Sequence, residues 1–432
     1  MHEASGMMLI WAILLVVVAA ALAVFAYLTV IINANANRQD RVDSAPPINA
    51  DPAAFMRALH GACSEPATTG NHADLLQNGD EIFPAMIAAI KASRETVHFS
   101  SYVYWAGAVP DQFAELFCET AKRGVRVRIV LDSEGADPIS PAAVKRMRAA
   151  GCTVVMYGRA RWYTWMRYNR RTHRRLLIVD GCIGFTGGVG IADEWSGHAQ
   201  APKNWRDTHV RLTGPVVSSL QAAFADNWNQ CTDELLLNAR DYPALDRNGN
   251  METCAVVSSP ANGSSAAQRT MAACIAGARH SLHITNAYFV PTPAFVSTLC
   301  EASARGVDVR VVVPGPYHDM PIVRRASWHV WPTLLAGGVH IYEYQPTMIH
   351  CKTLTVDGAV SLVGSINFDP RSFALNSECA VAIADPQVAS EMERAFDADV
   401  QQCVAIDLAT VNARGILARV RDGLCYWVRA QL

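Results

Sequence analysis

Two stretches of the chain share one pattern, HRRLLIVDGCIGFTGG at 173–188 and HCKTLTVDGAVSLVGS at 350–365. In each stretch a histidine is followed by a cation two residues on, an aspartate seven on and a glycine fourteen on. One such match alone is more typical of a solvated strand edge than of a functional site. Two copies in register predict a structural unit that is built twice, with both copies contributing to one site.

The repetition extends to both sides of these motifs. The segment 90–105 recurs at 275–290, 121–131 recurs at 303–315, and 147–157 recurs at 334–344, each time with a helix end leading into a β-branched strand. The strands are too apolar to leave one face in water. We therefore predict an α/β fold of two similar domains related by a pseudo-two-fold, each a mostly buried mixed sheet flanked by helices.

The domain bounds follow from changes in composition. We place the first domain at 76–250 and the second at 251–405, because the stretch between 232 and 252 is polar and rich in turn residues. Residues 33–75 are predicted to be a linker with at most one short helix near 55–60. Residues 406–432 alternate arginine with apolar residues, which fits a basic amphipathic helix at a membrane surface and equally a terminal helix docked on the domain.

Residues 7–32 contain no charged side chain. A helix of this length spans about 39 Å, enough to cross a hydrocarbon core of about 30 Å, so we predict a transmembrane helix. A cleaved signal peptide ending near 34–36 is the alternative; the long apolar run and the lack of a basic leader favour a retained anchor. Arg38 and Arg41 follow the span, which predicts a single-pass cell-membrane protein with the bulk of the chain in the cytoplasm.

Charge and cysteine content exclude several classes of protein. The chain has 432 residues, is 51% hydrophobic and has a net charge of −2, which excludes a disordered chain and a globally basic nucleic-acid binder. Its twelve cysteines form no CxxC pair. Reduced thiols are favoured over disulfides, and zinc binding is disfavoured.

The repeated motif predicts phosphodiester chemistry. Side chains alternate along a strand, so the histidine and the cation two residues later lie on the same face. Two such faces meeting across a pseudo-two-fold bring together two imidazoles and two cations. The cations balance the charge on a phosphoryl group, one imidazole attacks phosphorus, and the other protonates the leaving alkoxide. This arrangement requires no metal and no cofactor.

At this point the chain resembles the phospholipase D superfamily, whose signature is a duplicated H-x-K-x4-D motif followed by G-S/G-x-N. It is most similar to the bacterial cardiolipin synthases. The resemblance rests on both motifs and on segments that include NWRDTHVRLTGP (204–215), AYFVPTP (287–293) and GSINFDPRSFALNSE (364–378). Together these segments cover most of residues 80–405.

The resemblance implies a role for each motif residue. His173 and His350 are the nucleophile and the general acid/base in an order that the sequence leaves open, with His173 favoured as the nucleophile. The motif aspartates belong to the same catalytic set, although we expect them to brace turns rather than touch substrate. The remaining roles are phosphate binding for Arg175 and Lys352, substrate binding for Ser365, Asn367, Gly187 and Gly188, histidine orientation for Asp207 and Glu378, and turn bracing for Asp180 and Asp357.

The first copy departs from the family pattern at two positions. Arg175 replaces the usual lysine, which keeps the charge but changes its shape. Gly190 stands where the pattern has asparagine, which removes a hydrogen-bond donor. Because both histidines and both cations are present, activity is favoured over a degenerate, non-catalytic membrane protein.

The expected substrate follows from the surroundings of the first motif. Residues 159–175 hold seven arginines, with Trp162, Tyr163, Trp165 and Tyr168 between them, which suits an anionic lipid surface. Nucleic acid is disfavoured as a partner. The resemblance implies a membrane-anchored phosphatidyltransferase that joins two phosphatidylglycerol molecules into cardiolipin, releases glycerol and forms a phosphohistidine intermediate. Hydrolysis of phospholipid to phosphatidic acid and a non-catalytic lipid-binding role are the alternatives, and a monomer is sufficient for the site.

Overall fold

The computed structural model describes residues 2–36, 42, 45–63, 65–159, 169–259 and 265–431. Its first helix, α1 (His2–Ala36), contains the stretch Ile10–Ile31, which has a mean hydropathy of 2.8 and is long and apolar enough to cross a membrane. The predicted span 7–32 lies within this helix. Nearly all its described side chains are exposed, so they are not part of a protein core.

Two sets of strands and helices follow, and apart from one extra helix in each set their order is the same. The elements of the first half are α2 (Pro52–Cys63), β1 (Thr68–Gln77), α3 (Asn78–Ala92), β2 (Thr96–Ser101), α4 (Ala108–Lys122), β3 (Arg126–Asp132), α5 (Pro141–Ala149), β4 (Thr153–Tyr157), β5 (Leu176–Val179), β6 (Ile183–Gly187), β7 (Thr208–Thr213) and α6 (Val216–Thr232). Those of the second half are β8 (Met251–Ser258), α7 (Ala266–Gly277), β9 (Ser281–Asn286), α8 (Pro293–Ala304), β10 (Asp308–Pro314), α9 (Pro321–Ala336), β11 (His340–Tyr344), β12 (Lys352–Val356), β13 (Val360–Gly364), α10 (Pro370–Ala374), β14 (Glu378–Ala384) and α11 (Pro386–Val400). The chain then continues through β15 (Cys403–Ile406), α12 (Leu408–Asn412) and α13 (Ile416–Trp427) to a 3₁₀ turn, Arg429–Gln431.

The strands form one mixed sheet in the order β15-β11-β10-β9-β12-β13-β14-β8-β1-β7-β6-β5-β2-β3-β4. From the central β8–β1 pair outwards, each strand of one half has its counterpart at the same place in the other half, and β15 extends one edge. In both halves three parallel strands lie at the outside and antiparallel strands lie towards the centre. The pattern confirms the mixed α/β fold. The strands of the two halves are joined edge to edge in one sheet.

The structure corrects the predicted linker 33–75, because residues from 52 onwards are part of the folded body. In α2, the apolar side chains Phe55, Met56 and Leu59 are buried in the core of the second half. Strand β1 is hydrogen-bonded to β7 on one side and to β8 on the other. Its sequence, TTGNHADLLQ, is too polar to indicate a central strand, so the pairing on both sides, rather than β propensity, holds it.

The C-terminal segment is not a single helix as predicted for 406–432. Strand β15 ends at Ile406, and the short helix α12 precedes α13. One face of α13 packs on α9, with Cys425 and Tyr426 buried. Its opposite face is apolar and exposed, so the docked helix and the amphipathic helix expected from the sequence are the same element.

Candidate active site

Both catalytic-motif histidines are positioned by backbone pairing between the two halves. The His173 N–H donates to the carbonyl of Ser377 at 2.9 Å, and the Ser377 N–H donates to the carbonyl of Arg171 at 2.8 Å. This pairing brings His173, three residues before β5, next to the first residue of β14, which is Glu378. A histidine of the first half is thereby placed beside a carboxylate of the second.

The carboxylate of Glu378 fixes the His173 ring. Nδ1 of His173 lies 3.0 Å from each carboxylate oxygen of Glu378, and both side chains are buried. Ser372 donates a hydrogen bond to the same carboxylate at 2.8 Å, and Ser365 donates another. Because a carboxylate only accepts, Nδ1 carries the proton and Nε2 keeps its lone pair.

His350 has the equivalent arrangement, with the roles of the two halves exchanged. The Arg206 N–H donates to the carbonyl of Met348 at 2.9 Å, and the His350 N–H donates to the carbonyl of Arg206 at 2.7 Å. Nδ1 of His350 then lies 2.9 Å from Oδ2 of Asp207, which also accepts a hydrogen bond from Nε1 of Trp195 at 2.8 Å. Here the second half supplies the histidine and the first half supplies the acid.

A cation stands at the Nε2 atom of each ring. Nη1 of Arg175 lies 3.0 Å from Nε2 of His173, and Nζ of Lys352 lies 3.0 Å from Nε2 of His350. Burial, with Arg175 adding to it, lowers the pKa of His173 to about 4 and that of Lys352 to about 7. Burial and the neighbouring Lys352 hold the pKa of His350 well below its usual value. Both imidazoles are therefore neutral at neutral pH, and a bound anion would favour their protonation.

The two histidines line the same cavity, which has a volume of about 560 Å³. Arg175 and Asn367 line it as well, so four of the residues predicted from the sequence meet there. Lys352 lies behind His350, where it also donates to the His350 carbonyl at 2.6 Å. The residues predicted from the sequence thus contribute two imidazoles, a guanidinium and an amide to the lining of this cavity.

Three residues that the sequence predicts to bind substrate, Ser365, Gly187 and Gly188, are not among those that line the cavity. The Ser365 hydroxyl donates to Glu378 and accepts from the backbone N–H of Cys379. A Cβ atom on Gly187 would lie 2.3 Å from Nδ1 of His209, and one on Gly188 would lie 2.1 Å from Oδ1 of Asp207. Glycine at these two positions allows the side chains of Asp207 and His209 to lie close to the backbone.

The motif aspartates lie at turns, outside the lining of the cavity. The carboxylate of Asp180 accepts hydrogen bonds from the backbone N–H groups of residues 94, 95 and 96. Asp357 accepts equivalent bonds from residues 279, 280 and 281. Both aspartates have positive φ angles, 52° and 53°. Each therefore braces the chain where it enters β2 or β9.

The structure gives a reason for the missing asparagine at position 190. A Cβ atom on Gly190 would lie 2.7 Å from Cβ of Val103 and 3.2 Å from the Trp195 ring. The corresponding residue of the second half, Asn367, lines the cavity. Packing by Val103 and Trp195 fills the space that an asparagine would need in the first half.

Aromatic rings around the histidines were not identified from the sequence as site residues. The Tyr102 ring meets His173 edge-on, with ring centroids 5.2 Å apart. The rings of Trp195 and Trp205 lie 5.1 Å and 5.5 Å from that of His350. Tyr288 lines the same cavity and is hydrogen-bonded to Asp319. Both repeats have an aromatic segment directly after an equivalent strand, β2 or β9, and this repetition could have identified Tyr102 and Tyr288 as site residues.

The arginine-rich stretch 159–175 is only partly described. Trp162, Tyr163, Trp165 and Tyr168, which were expected at a lipid surface, lie outside the described residues. Arg174 is buried and bonded to Asp226 at 3.0 Å. Arg174 thus belongs to the protein interior, whereas Arg171 and Arg175 line the cavity.

The chain is similar to known proteins over most of its length. The chain matches the family described as "Cardiolipin synthase, PLD-like domain" over residues 86–201 and 271–400. It is 33% identical to cardiolipin synthase A of Pseudomonas putida, over 81% of this chain and 72% of that protein. It is 30% identical to the cardiolipin synthase of Geobacillus kaustophilus, over 86% of this chain and 74% of the relative.

Solved structures share the fold at low sequence identity. The crystal structure of a phosphatidylserine synthase from Haemophilus influenzae aligns with a TM-score of 0.64 and 13% identity, covering 87% of this chain and 99% of that one. A polyphosphate kinase from Porphyromonas gingivalis aligns with a TM-score of 0.53 and 11% identity, over 86% of this chain and 52% of that one. The family match and the sequence relatives together establish that this chain belongs to the cardiolipin synthase family of the phospholipase D superfamily, a family of phosphatidyltransferase enzymes.

Proposed function

We propose that the protein is a membrane-anchored phosphatidyltransferase that makes cardiolipin from two phosphatidylglycerol molecules and releases glycerol. The observation that carries the proposal is the shared cavity, where His173 and His350 meet with their Nδ1 atoms bonded to buried acids. The cardiolipin synthases to which the chain is similar support the substrate class. The apolar stretch Ile10–Ile31 supports a membrane anchor.

In the first step of the proposed reaction, Nε2 of His173 attacks phosphorus. An N–P bond forms, the P–O bond to glycerol breaks, and His350 gives its proton to the glycerol oxygen. The anionic phosphodiester supplies the charge that keeps His350 protonated, since an opposite charge raises the pKa of an imidazole. Arg175 and Lys352 balance the charge on the phosphoryl oxygens.

In the second step, a hydroxyl of another phosphatidylglycerol attacks the phosphatidyl-histidine. His350 takes the proton of that hydroxyl, an O–P bond forms and the N–P bond breaks. Exclusion of water from the cavity decides between transfer and hydrolysis. One chain supplies every group of this mechanism, so a monomer suffices.

We also propose the division of the folded body into two phospholipase D-like units that meet near residues 250 and 251. In support, the fully described stretch 233–250 between α6 and β8 has neither helix nor strand. The bulk of the chain is proposed to lie on the cytoplasmic side of the membrane, from the arginines that follow the span.

The reaction is tested by incubating the purified full-length protein with labelled phosphatidylglycerol and separating the lipids. Cardiolipin with glycerol is the expected product, and phosphatidic acid alone would assign hydrolysis. His173→Ala and His350→Ala should each abolish product. His283→Asn is the matched control, because His283 is a mostly buried imidazole paired with Glu393 outside the catalytic cavity.

The nucleophile is identified with a phosphatidyl ester of p-nitrophenol, whose leaving group needs no general acid. His350→Ala should release one equivalent of p-nitrophenol in a burst and then stop at the phosphatidyl-enzyme, whereas His173→Ala should give no burst. The reverse result would make His350 the nucleophile.

A further inference from the structure

A second cavity, of about 400 Å³, lies apart from the catalytic cavity, between α9 and the chain that leads into α13. We name it the arginine cavity, because four arginines line it together with Trp328 and His318: Arg324, Arg325, Arg414 and Arg421. The guanidinium of Arg414 lies over the Trp328 ring at 4.1 Å from its centroid. Stacking of this kind holds a guanidinium in place while leaving its N–H groups available.

The arginine cavity has more positive charge than its carboxylates balance. Glu343 pairs with Arg324 at 2.7 Å. Asp422 is shared between Arg414 at 2.9 Å and Arg421 at 3.4 Å. Within the part of the chain that the structure describes, no carboxylate pairs with Arg325. Two carboxylates against four guanidinium groups leave an excess of positive charge that an anion would balance.

Beside this cavity, α13 exposes a continuous apolar face. Ile416, Leu417, Val420 and Leu424 are between 57% and 83% exposed. Their spacing places them on one side of the helix, whereas Cys425 and Tyr426 on the other side are buried. An isolated exposed leucine needs no explanation, but an apolar helix face next to a basic cavity is typical of a surface that lies on a bilayer.

The C-terminal end of α13 lies near α1, the helix that contains the candidate membrane span. The 3₁₀ turn Arg429–Gln431, which directly follows α13, contacts α1. The chain just before and at the start of α9 lines both cavities. His318 lines the arginine cavity, and Asp319 and Met320 line the catalytic cavity. A lipid bound in the arginine cavity would therefore lie close to the catalytic cavity.

We propose that the arginine cavity and the apolar face of α13 form a second phospholipid site, which binds an anionic headgroup of the membrane outside the catalytic cavity. The guanidinium groups bind the phosphate, and the acyl chains lie along the apolar face. The apolar face favours a lipid over a free phosphate as the ligand, because a free phosphate has no acyl chain to cover that face. The site goes beyond the proposed reaction, because its occupancy requires no catalysis.

The test counts bound lipids by native mass spectrometry on full-length, detergent-purified His350→Ala protein, so that no substrate is consumed. Dioleoyl-phosphatidylglycerol and dioleoyl-phosphatidylcholine are added in equal amounts. We expect Arg325→Ala/Arg421→Ala to bind one phosphatidylglycerol fewer than its parent. Arg325→Lys/Arg421→Lys should keep that lipid, and so should the control Arg394→Ala, an exposed arginine of α11.

A second pair of changes, Leu417→Asn/Leu424→Asn, replaces exposed side chains and so leaves the core unchanged. It should also remove the extra lipid. The proposal would be overturned if both double variants, the arginine and the leucine one, bound as many lipids as the parent. It would also be overturned if the parent retained phosphatidylcholine as well as phosphatidylglycerol. Complete displacement of the extra lipid by 1 mM inorganic phosphate would assign the cavity to a free anion and would overturn it as well. Because the parent is the His350→Ala variant, these outcomes are independent of the proposed transferase activity.

Discussion

The imidazole of His173 and the carboxylate of Glu378 lie 3.0 Å apart although 205 residues separate them in sequence. The second pair, His350 and Asp207, is separated by 143 residues. Each half of the molecule gives a histidine to one pair and an acid to the other. Neither half alone therefore contains an oriented histidine, and the two halves must fold against each other before the site exists.

Glu378→Gln should lower kcat by up to about 10⁴-fold with little change in KM. The glutamine amide would leave the His173 tautomer unfixed, and loss of a tautomer-fixing carboxylate has an effect of this size in histidine-dependent hydrolases. The measurement is steady-state kinetics in mixed micelles. Glu393→Gln, which alters a histidine–carboxylate pair outside the catalytic cavity, is the control and should keep kcat. A Glu378→Gln protein with normal kcat would contradict the orienting role.

Gly188→Ala should abolish activity and lower the free energy of unfolding by about 1–3 kcal/mol, because its Cβ atom would lie 2.1 Å from the Asp207 carboxylate. Gly61→Ala is the matched control, since no atom lies within 4 Å of its Cβ position and it stands inside α2. The control should be neutral or slightly stabilising. Activity and thermal midpoints of both proteins check the prediction, which fails if the two variants behave alike.

Dimethyl phosphate, a soluble phosphodiester, should bind more weakly to the enzyme as the pH rises above 7. Burial lowers the pKa of Lys352 to about 7, so the free protein loses this positive charge above that pH. Where the ammonium is required for binding, the affinity falls by about tenfold per pH unit. Lys352→Arg keeps its charge and should flatten the dependence. Calorimetric titrations between pH 6 and 9 give the two slopes, and equal slopes would refute this explanation.

Gly190→Asn, which introduces the residue that the family pattern has at this position, should destabilise the protein. Its Cβ atom would lie 2.7 Å from Cβ of Val103, and crowding of a packed core costs about 1–3 kcal/mol. Val103→Gly/Gly190→Asn should recover part of this loss, because it removes the Cβ atom that makes the nearest contact. Unfolding midpoints of the two single variants and the double variant measure the coupling. Additive effects would mean that Val103 does not exclude the asparagine.

The periodic features of the sequence predicted the repeat and the placement of its strands well. Arg175 and Lys352 lie beside their histidines, as the His-x-cation spacing predicted, although His173, Arg175 and His350 precede β5 and β12 instead of lying within them. The polar strand β1 was missed, since its stability comes from neighbours on both sides rather than from its own residues. Ser365, Gly187 and Gly188 lie outside the lining of the cavity, and their role in substrate binding stays a prediction. A motif identifies residues that are needed, but it does not separate those that touch substrate from those that hold the acids.

By itself, the sequence determined the duplicated α/β fold, the apolar N-terminal helix and the identity of the residues at the site, because repeats, hydrophobicity and residue spacing are written along the chain. Only the tertiary structure decided which acid serves which histidine, that Gly190 is enclosed by Val103 and Trp195, and that four arginines from distant segments share a cavity. These relationships depend on backbone pairing and packing between segments that are far apart in sequence. No local pattern encodes such a contact, since its energy arises only when the two halves meet.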